Sequence, residues 1–105
     1  MRAGSLKTLI TIENLTTGKN EVGESIPIFT KFADAYSEVT NMGTKEKYFN
    51  ARYESVDSKK FRIRFISGVT TSMRIKLDDE YFDIKEVVDP YRNKRELLIA
   101  AEKVD

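Results

Sequence analysis

Asp57-Ser58-Lys59-Lys60-Phe61-Arg62-Ile63-Arg64-Phe65, then Gly68-Val69-Thr70-Thr71-Ser72-Met73-Arg74-Ile75, Tyr81-Phe82-Asp83-Ile84, Val88-Asp89-Pro90 and Arg95-Glu96-Leu97: residues 57–99 are a run of strand patterns separated by turns. Phe61, Ile63 and Phe65 share one face of an extended segment, and Arg62 and Arg64 take the other. Met73, Ile75 and Leu77 alternate with Arg74, Lys76 and Asp78 in the same way. A period of two, apolar on one side, marks a strand laid over a core and wetted on its back. Consecutive short strands joined by tight turns predict a small antiparallel barrel or sandwich. Its core would hold Phe61, Ile63, Phe65, Ile75, Leu77, Phe82 and Ile84. Such a fold supplies no catalytic machinery of its own, so function is sought in loops, edges and assembly.

Upstream, residues 6–15 alternate loosely and predict a first strand, with Ile10 and Ile12 on one face. The segment 16–24 is rich in turn formers and holds Gly18 and Gly23, which suits a hairpin loop. Ile26-Pro27-Ile28-Phe29 is extended, and Pro27, having no N–H to give a ladder, belongs at an edge or a strand start. Phe32 to Thr40 reads as a second strand with Ala33, Ala35 and Val39 on one face and Phe32 and Tyr36 on the other. Apolar groups on both faces predict a strand between two layers or one covered by a neighbouring subunit. The final strand, 95–104, is likewise apolar on both faces. Between these lies 41–56, where Phe49, Tyr53 and Val56 recur at helical spacing among charges, so a helical or irregular insertion is expected there. Its start signal is weak, because position 47 is Lys where a capping box wants Glu. The whole chain reads as a single domain, 1–105: mostly β, a barrel of about six strands with that insertion between strands 2 and 3.

Composition narrows the function. A chain of 105 residues buries roughly two-thirds of its unfolded surface, and 40% apolar residues support a core. Eighteen basic and 17 acidic residues nearly cancel, so there is no general attraction for nucleic acid or an anionic membrane. Neither cysteine nor histidine occurs. Thiolate nucleophiles, disulfides and His-based triads or zinc cages are therefore excluded. No apolar run approaches the roughly 18 residues of a membrane span. The expectation is a protein that is not an enzyme and has no cofactor, no metal and no membrane partner.

Three groups of residues carry candidate chemistry. Asp78, Asp79, Glu80 and Asp83 form a dense acidic group, but their spacing is not that of a calcium loop, and a solvated hairpin tip explains them. Arg62, Arg64, Arg74 and Lys76 would make a basic stripe if their two strands were neighbours, able to follow a nucleic-acid backbone or simply to form the wet back of a sheet. Tyr48, Phe49, Tyr53 and Phe29 lie outside the best strands and fit local core or a buried interface equally well.

The ordered series Gly68-Val69-x-x-x-Met73-Arg74-Ile75, Phe82-Asp83-Ile84, Val87-x-Asp89-Pro90 and Arg95-Glu96-Leu97 resembles the head-tail joining proteins of long-tailed bacteriophages, also called head completion, head closure or stopper proteins. Gly4-x-Leu6 before Ile10-Thr11-Ile12 is similar to that family's usual opening, and Tyr36-Ser37-Glu38-Val39 stands where it carries an aromatic-small-x-Val run. Leu9 replaces an Arg often seen before Ile-Thr-Ile, and Ser37 replaces a common Ala. The resemblance implies a structural virion protein at the head-tail connector, made in the host bacterial cytoplasm. It would form a dodecameric homo-oligomeric ring beneath the portal and adaptor, close the DNA-filled head and dock the tail. Genomic DNA would pass it without sequence preference. The loop after the second strand would reach the channel or a neighbouring subunit, which singles out Met42, Gly43, Lys45, Lys47, Tyr48, Phe49, Arg52 and Tyr53. Arg62, Arg64, Arg74 and Lys76 would then be possible DNA-facing residues. Two alternatives stay open: an OB-like nucleic-acid-binding module, and another phage ring component such as a tail terminator.

Overall fold

Six antiparallel strands account for nearly all of the described chain. The computed structural model describes residues 6–49 and 52–104, and within 44–56 the course of the backbone alone. The strands are β1 (Thr8–Lys19), β2 (Ser25–Phe49), β3 (Arg52–Arg64), β4 (Arg74–Leu77), β5 (Glu80–Val88) and β6 (Glu96–Val104). They close into a barrel in the order β1-β2-β3-β6-β5-β4. Closure removes the sheet edges that would otherwise invite pairing with other chains.

The core follows the alternation of the sequence. Ile10, Ile12, Phe61, Ile63, Met73, Ile75, Phe82, Ile84, Leu97, Ile99 and Ala101 are buried together, and Phe65, Leu77, Ala35 and Val39 pack against them half-buried. Phe61 and Phe82 meet edge to face with centroids 5.6 Å apart, a geometry the aromatic quadrupole favours. The expected core is therefore found, with Phe65 and Leu77 at its margins. Ile10, Ile12 and the inner face of β6 complete it.

The expected insertion differs. Residues 41–49 continue β2 and residues 52–56 begin β3, so a paired ribbon stands where a helical or irregular insertion is expected. Asn50 and Ala51 lie outside the described residues. The ladder sets Tyr48 opposite Tyr53 and Lys47 opposite Glu54. Two strands already paired at Val39↔Phe61 extend by adding one hydrogen-bonded residue at a time, whereas a helix of about three turns needs a costly nucleus. Tyr, Phe, Val and Thr favour the pleated state as well. The ladder therefore prevails over a helical spacing of three residues.

Two register shifts shape the frame. Between Ile12 and Glu13 the partner in β2 jumps from Ala33 to Lys31, leaving Phe32 as the extra residue. Its ring lies on Gly68, where an added Cβ would come within 3.2 Å of it. Between Asn41 and Gly43 the partner in β3 moves from Lys59 to Ser58, leaving Met42 as the extra residue. Such bulges bend the strand that carries them and increase its twist.

Candidate functional site

The second bulge lies where the β2–β3 ribbon leaves the barrel. Gly43 has φ of 86°, the left-handed region that L side chains resist. Its pairing with Ser58, and that of Asn41 with Lys59, anchor the root of the ribbon. Lys59 Nζ donates to Asn41 Oδ1 across the two strands. Met42, the bulged residue, is exposed, whereas Ser58 is buried with its hydroxyl unpartnered. Beyond this point β2 and β3 pair only with each other, as far as Phe49↔Arg52. The side chains of Lys45, Lys47, Tyr48, Phe49, Arg52 and Tyr53 lie outside the described residues, while their backbone places all six on the ribbon.

The basic stripe does not form. Arg62 and Arg64 lie on β3, Arg74 and Lys76 on β4, and two strands separate β3 from β4 in either direction around the barrel. The stripe required adjacency, and the closed order denies it. Arg62 donates to Glu38 Oε2 at 3.3 Å. Arg74 is held more firmly: its Nε donates to Glu13 Oε1 at 2.6 Å, and its guanidinium carbon lies 3.5 Å from the Phe29 ring centroid and 4.0 Å from that of Tyr81. Lys76 Nζ stands 5.9 Å from the same Tyr81 ring. Phe29 is thus a wall of this clamp on the outer face. Arg64 differs from the rest, being exposed without an ion pair.

Asp78 and Asp79 form the β4–β5 turn and Glu80 opens β5, with Asp78 at φ of 54° and Glu80 Oε2 at 3.8 Å from Lys103 Nζ. Among the described residues no three Asp or Glu side chains converge as metal ligands. Asp34 lies on β2 opposite Thr11 in the β1–β2 ladder. The Lys31 amine, at 2.6 Å, and the Thr11 hydroxyl, at 2.8 Å, hold its carboxyl below the ordinary carboxylate range.

At the far end of β3 the fold assembles residues that were read separately. Arg64 lines a cavity of about 340 Å³ with Leu6, Asp34, Ala35, Tyr36 and Ile66. It also lines a second, of about 340 Å³, with Tyr91, Asn93, Arg95 and Glu96. Tyr36 is 58% exposed and its β1 partner Leu9 53%, so the outer face of β1 and β2 is uncovered at this pair in the single chain. Sequence reading missed this surface because the 89–95 segment looks like an ordinary connecting loop. Its one signal was three cations in four residues, Arg92, Lys94 and Arg95.

A closed, six-stranded barrel that projects a two-stranded ribbon belongs to the class of β-barrel modules that act through surfaces and assembly. The family model for the phage head completion protein matches residues 1–104, and the chain belongs to that family. It is thus a structural head protein of the phage virion, and that place implies association with other virion proteins. Among solved structures, a chain from the virion of a native gene transfer agent particle is similar with TM-score 0.74 at 16% identity, covering 94% of this chain and 96% of that one. The solution structure of protein SF1141 from Shigella flexneri 2a is similar with TM-score 0.68 at 18% identity, covering 98% and 96%. At such identities these similarities speak for the fold alone. A search of curated protein sequences finds no match to the chain.

Proposed function

We propose that this head completion protein assembles as a ring, dodecameric on the virion, beneath the portal and adaptor. There it closes the DNA-filled head and presents the docking surface for the tail. The observation that carries this reading is the ribbon: a 25-residue β2 is far longer than the mode of about five or six residues, and its surplus leaves the barrel at a bulge. A two-stranded ribbon paired only with itself is marginal in water, so a length of this kind suggests contact with a neighbour. Met42, Gly43, Lys45, Lys47, Tyr48, Phe49, Arg52 and Tyr53 are the ribbon residues that meet the channel and the neighbouring subunit in this reading. Genomic DNA, met without sequence preference, is the cargo in the channel, and the assembly forms in the host cytoplasm. The uncovered outer face of Leu9 and Tyr36 suits burial against an adjoining subunit.

Replacing residues 44–54 with a short Gly/Ser linker tests this. The isolated domain should keep most of its melting temperature, since this segment pairs only within the ribbon. Particles assembled with the variant should lose packaged DNA. Particles that retain their DNA and accept tails normally would refute the channel role.

A further inference from the structure

Net charge near zero conceals a strong separation along β5. At the start of that strand stand Asp78, Asp79, Glu80 and Asp83, all exposed. Nine residues later, roughly 27–30 Å along an extended chain, the loop Asp89–Arg95 displays Arg92, Lys94 and Arg95. Arg64 joins them, because the Phe65 N–H donates to the Arg95 carbonyl at 3.0 Å and ties the end of β3 to the end of the loop. Among arginines whose side chains are described, Arg62 and Arg74 are ion-paired, and the unpaired three, Arg64, Arg92 and Arg95, are all here.

The loop is held in shape, and held at a cost. Asp89 Oδ2 accepts from the Lys94 N–H at 2.9 Å, the Asp89 carbonyl from the Arg92 N–H at 3.3 Å, and Asn93 Oδ1 from the Arg95 N–H at 3.3 Å. Within this frame Arg92 and Lys94 adopt φ of 54° and 57°, where Gly or Asn sits more easily. Long cations at two strained positions of one turn indicate that their side chains have a use. Tyr91 is 73% exposed beside them, and Tyr36 flanks Arg64 on its other side. Exposed aromatic rings set among free cations on a fixed loop are what a nucleic-acid backbone requires: charge for phosphates, flat faces for bases, and Asn and Tyr donors for phosphate oxygens. The core of a protein interface, by contrast, is depleted of charged residues.

We propose that Arg64, Arg92, Lys94 and Arg95, with Tyr91, form a binding surface for the phosphodiester backbone of DNA. It explains the described arginines that the clamp and the salt bridges leave over. Glu96, only 6% exposed and with Oε2 unpartnered, faces the same cavity directly opposite Arg64 in the β3–β6 ladder. It supplies a competing anion that weakens the arginines' hold and keeps contact with passing DNA loose. Of the other carboxylates, Asp34, which lines the neighbouring cavity with Arg64, is engaged by Lys31 and Thr11, and Asp89 Oδ2 accepts from the Lys94 N–H within the loop. The proposal rests on the reading above only for the presence of DNA, since binding by the isolated domain requires neither a ring nor the ribbon.

Fluorescence anisotropy with end-labelled 20-mer DNA, single-stranded and duplex, at about 50 and 200 mM salt provides the test. Wild type should bind with a dissociation constant of about 10⁻⁴–10⁻⁶ M at the lower salt, with a salt slope set by roughly three to four phosphate contacts. The double variant Arg92→Asn with Lys94→Asn should bind at least about tenfold more weakly and lower the slope by about two, while its melting temperature holds or rises because Asn accepts a positive φ. Glu96→Gln should tighten binding. If Tyr91 stacks on bases, Tyr91→Ala weakens single-stranded more than duplex DNA; equal losses assign the contact to phosphates alone. Lys19→Gln, at an exposed position on β1, should leave the affinity unchanged. No binding by wild type, or an unchanged slope in the double variant, overturns the proposal. Binding of poly-glutamate as tight as that of DNA would assign the surface to an acidic protein instead.

Discussion

Between the rings of Phe29 and Tyr81 the guanidinium of Arg74 joins β2 to β5, and its Nε reaches Glu13 on β1. Four strands thus meet on one side chain, beside the β1–β4 ladder of only three residue pairs. Such a cation is a structural part, unavailable to DNA, whereas Arg64 keeps its donors free. Arg74→Ala should lower the unfolding free energy by about 2 kcal/mol, combining a partly buried cation–π contact with the charge left unpaired on Glu13. Arg74→Lys should recover little of it, since a compact ammonium lacks the flat face that lies between two rings. Urea denaturation of both variants, with Glu13→Gln completing a double-mutant cycle, measures the pair. A coupling energy below about 0.5 kcal/mol would show that the ring contacts act without the ion pair.

At the scale of elements, what was legible in the sequence is what the core dictates. Phe61, Ile63, Ile75, Phe82 and Ile84 had to alternate because each strand has one buried face, and the alternation fixed strand order along the chain and register within it. Residues 41–56 have no such constraint. A ribbon whose strands pair only with each other is not held to the barrel's inward and outward alternation, and Phe49, Tyr53 and Val56 fall at a helical spacing. The β3–β4 stripe failed for another reason: strand adjacency in a closed barrel is a long-range property, and Arg64 found its partners in a loop some thirty residues away. The strongest local signal in the ambiguous stretch was Gly43. An added Cβ there would touch nothing within 4 Å, so the cost of Gly43→Ala is conformational, about 1–2 kcal/mol. Gly43→Asn should cost less, and thermal melts of the two variants provide the check. Equal losses would mean that space, not φ, decides the position.

For the whole molecule the question is which closure holds the barrel. Counted in hydrogen bonds, the β1–β4 seam is weakest, with three residue pairs from Thr11↔Lys76 to Glu13↔Arg74, against seven between β3 and β6. Counted in burial, it is among the strongest, because its central pair, Ile12↔Ile75, is fully buried on both sides. Parting the seam would bring two isoleucine side chains into water, each worth about 1.5–3 kcal/mol, and would break the Arg74 clamp as well. The ribbon has the reverse character: its ladder from Gly43↔Ser58 to Phe49↔Arg52 is long, yet beyond Ser58 neither strand pairs with the rest of the barrel. Hydrogen exchange separates the two measures, since an amide exchanges by the least costly opening that exposes it. Slowly exchanging amides at Ile12 and Ile75, with protection close to that of Phe61 and Ile99, are expected, alongside ribbon amides at least about a hundredfold faster. Rapid exchange at Ile12 and Ile75 would mean that the seam opens without the core, and that the barrel's edges become available for pairing when subunits meet.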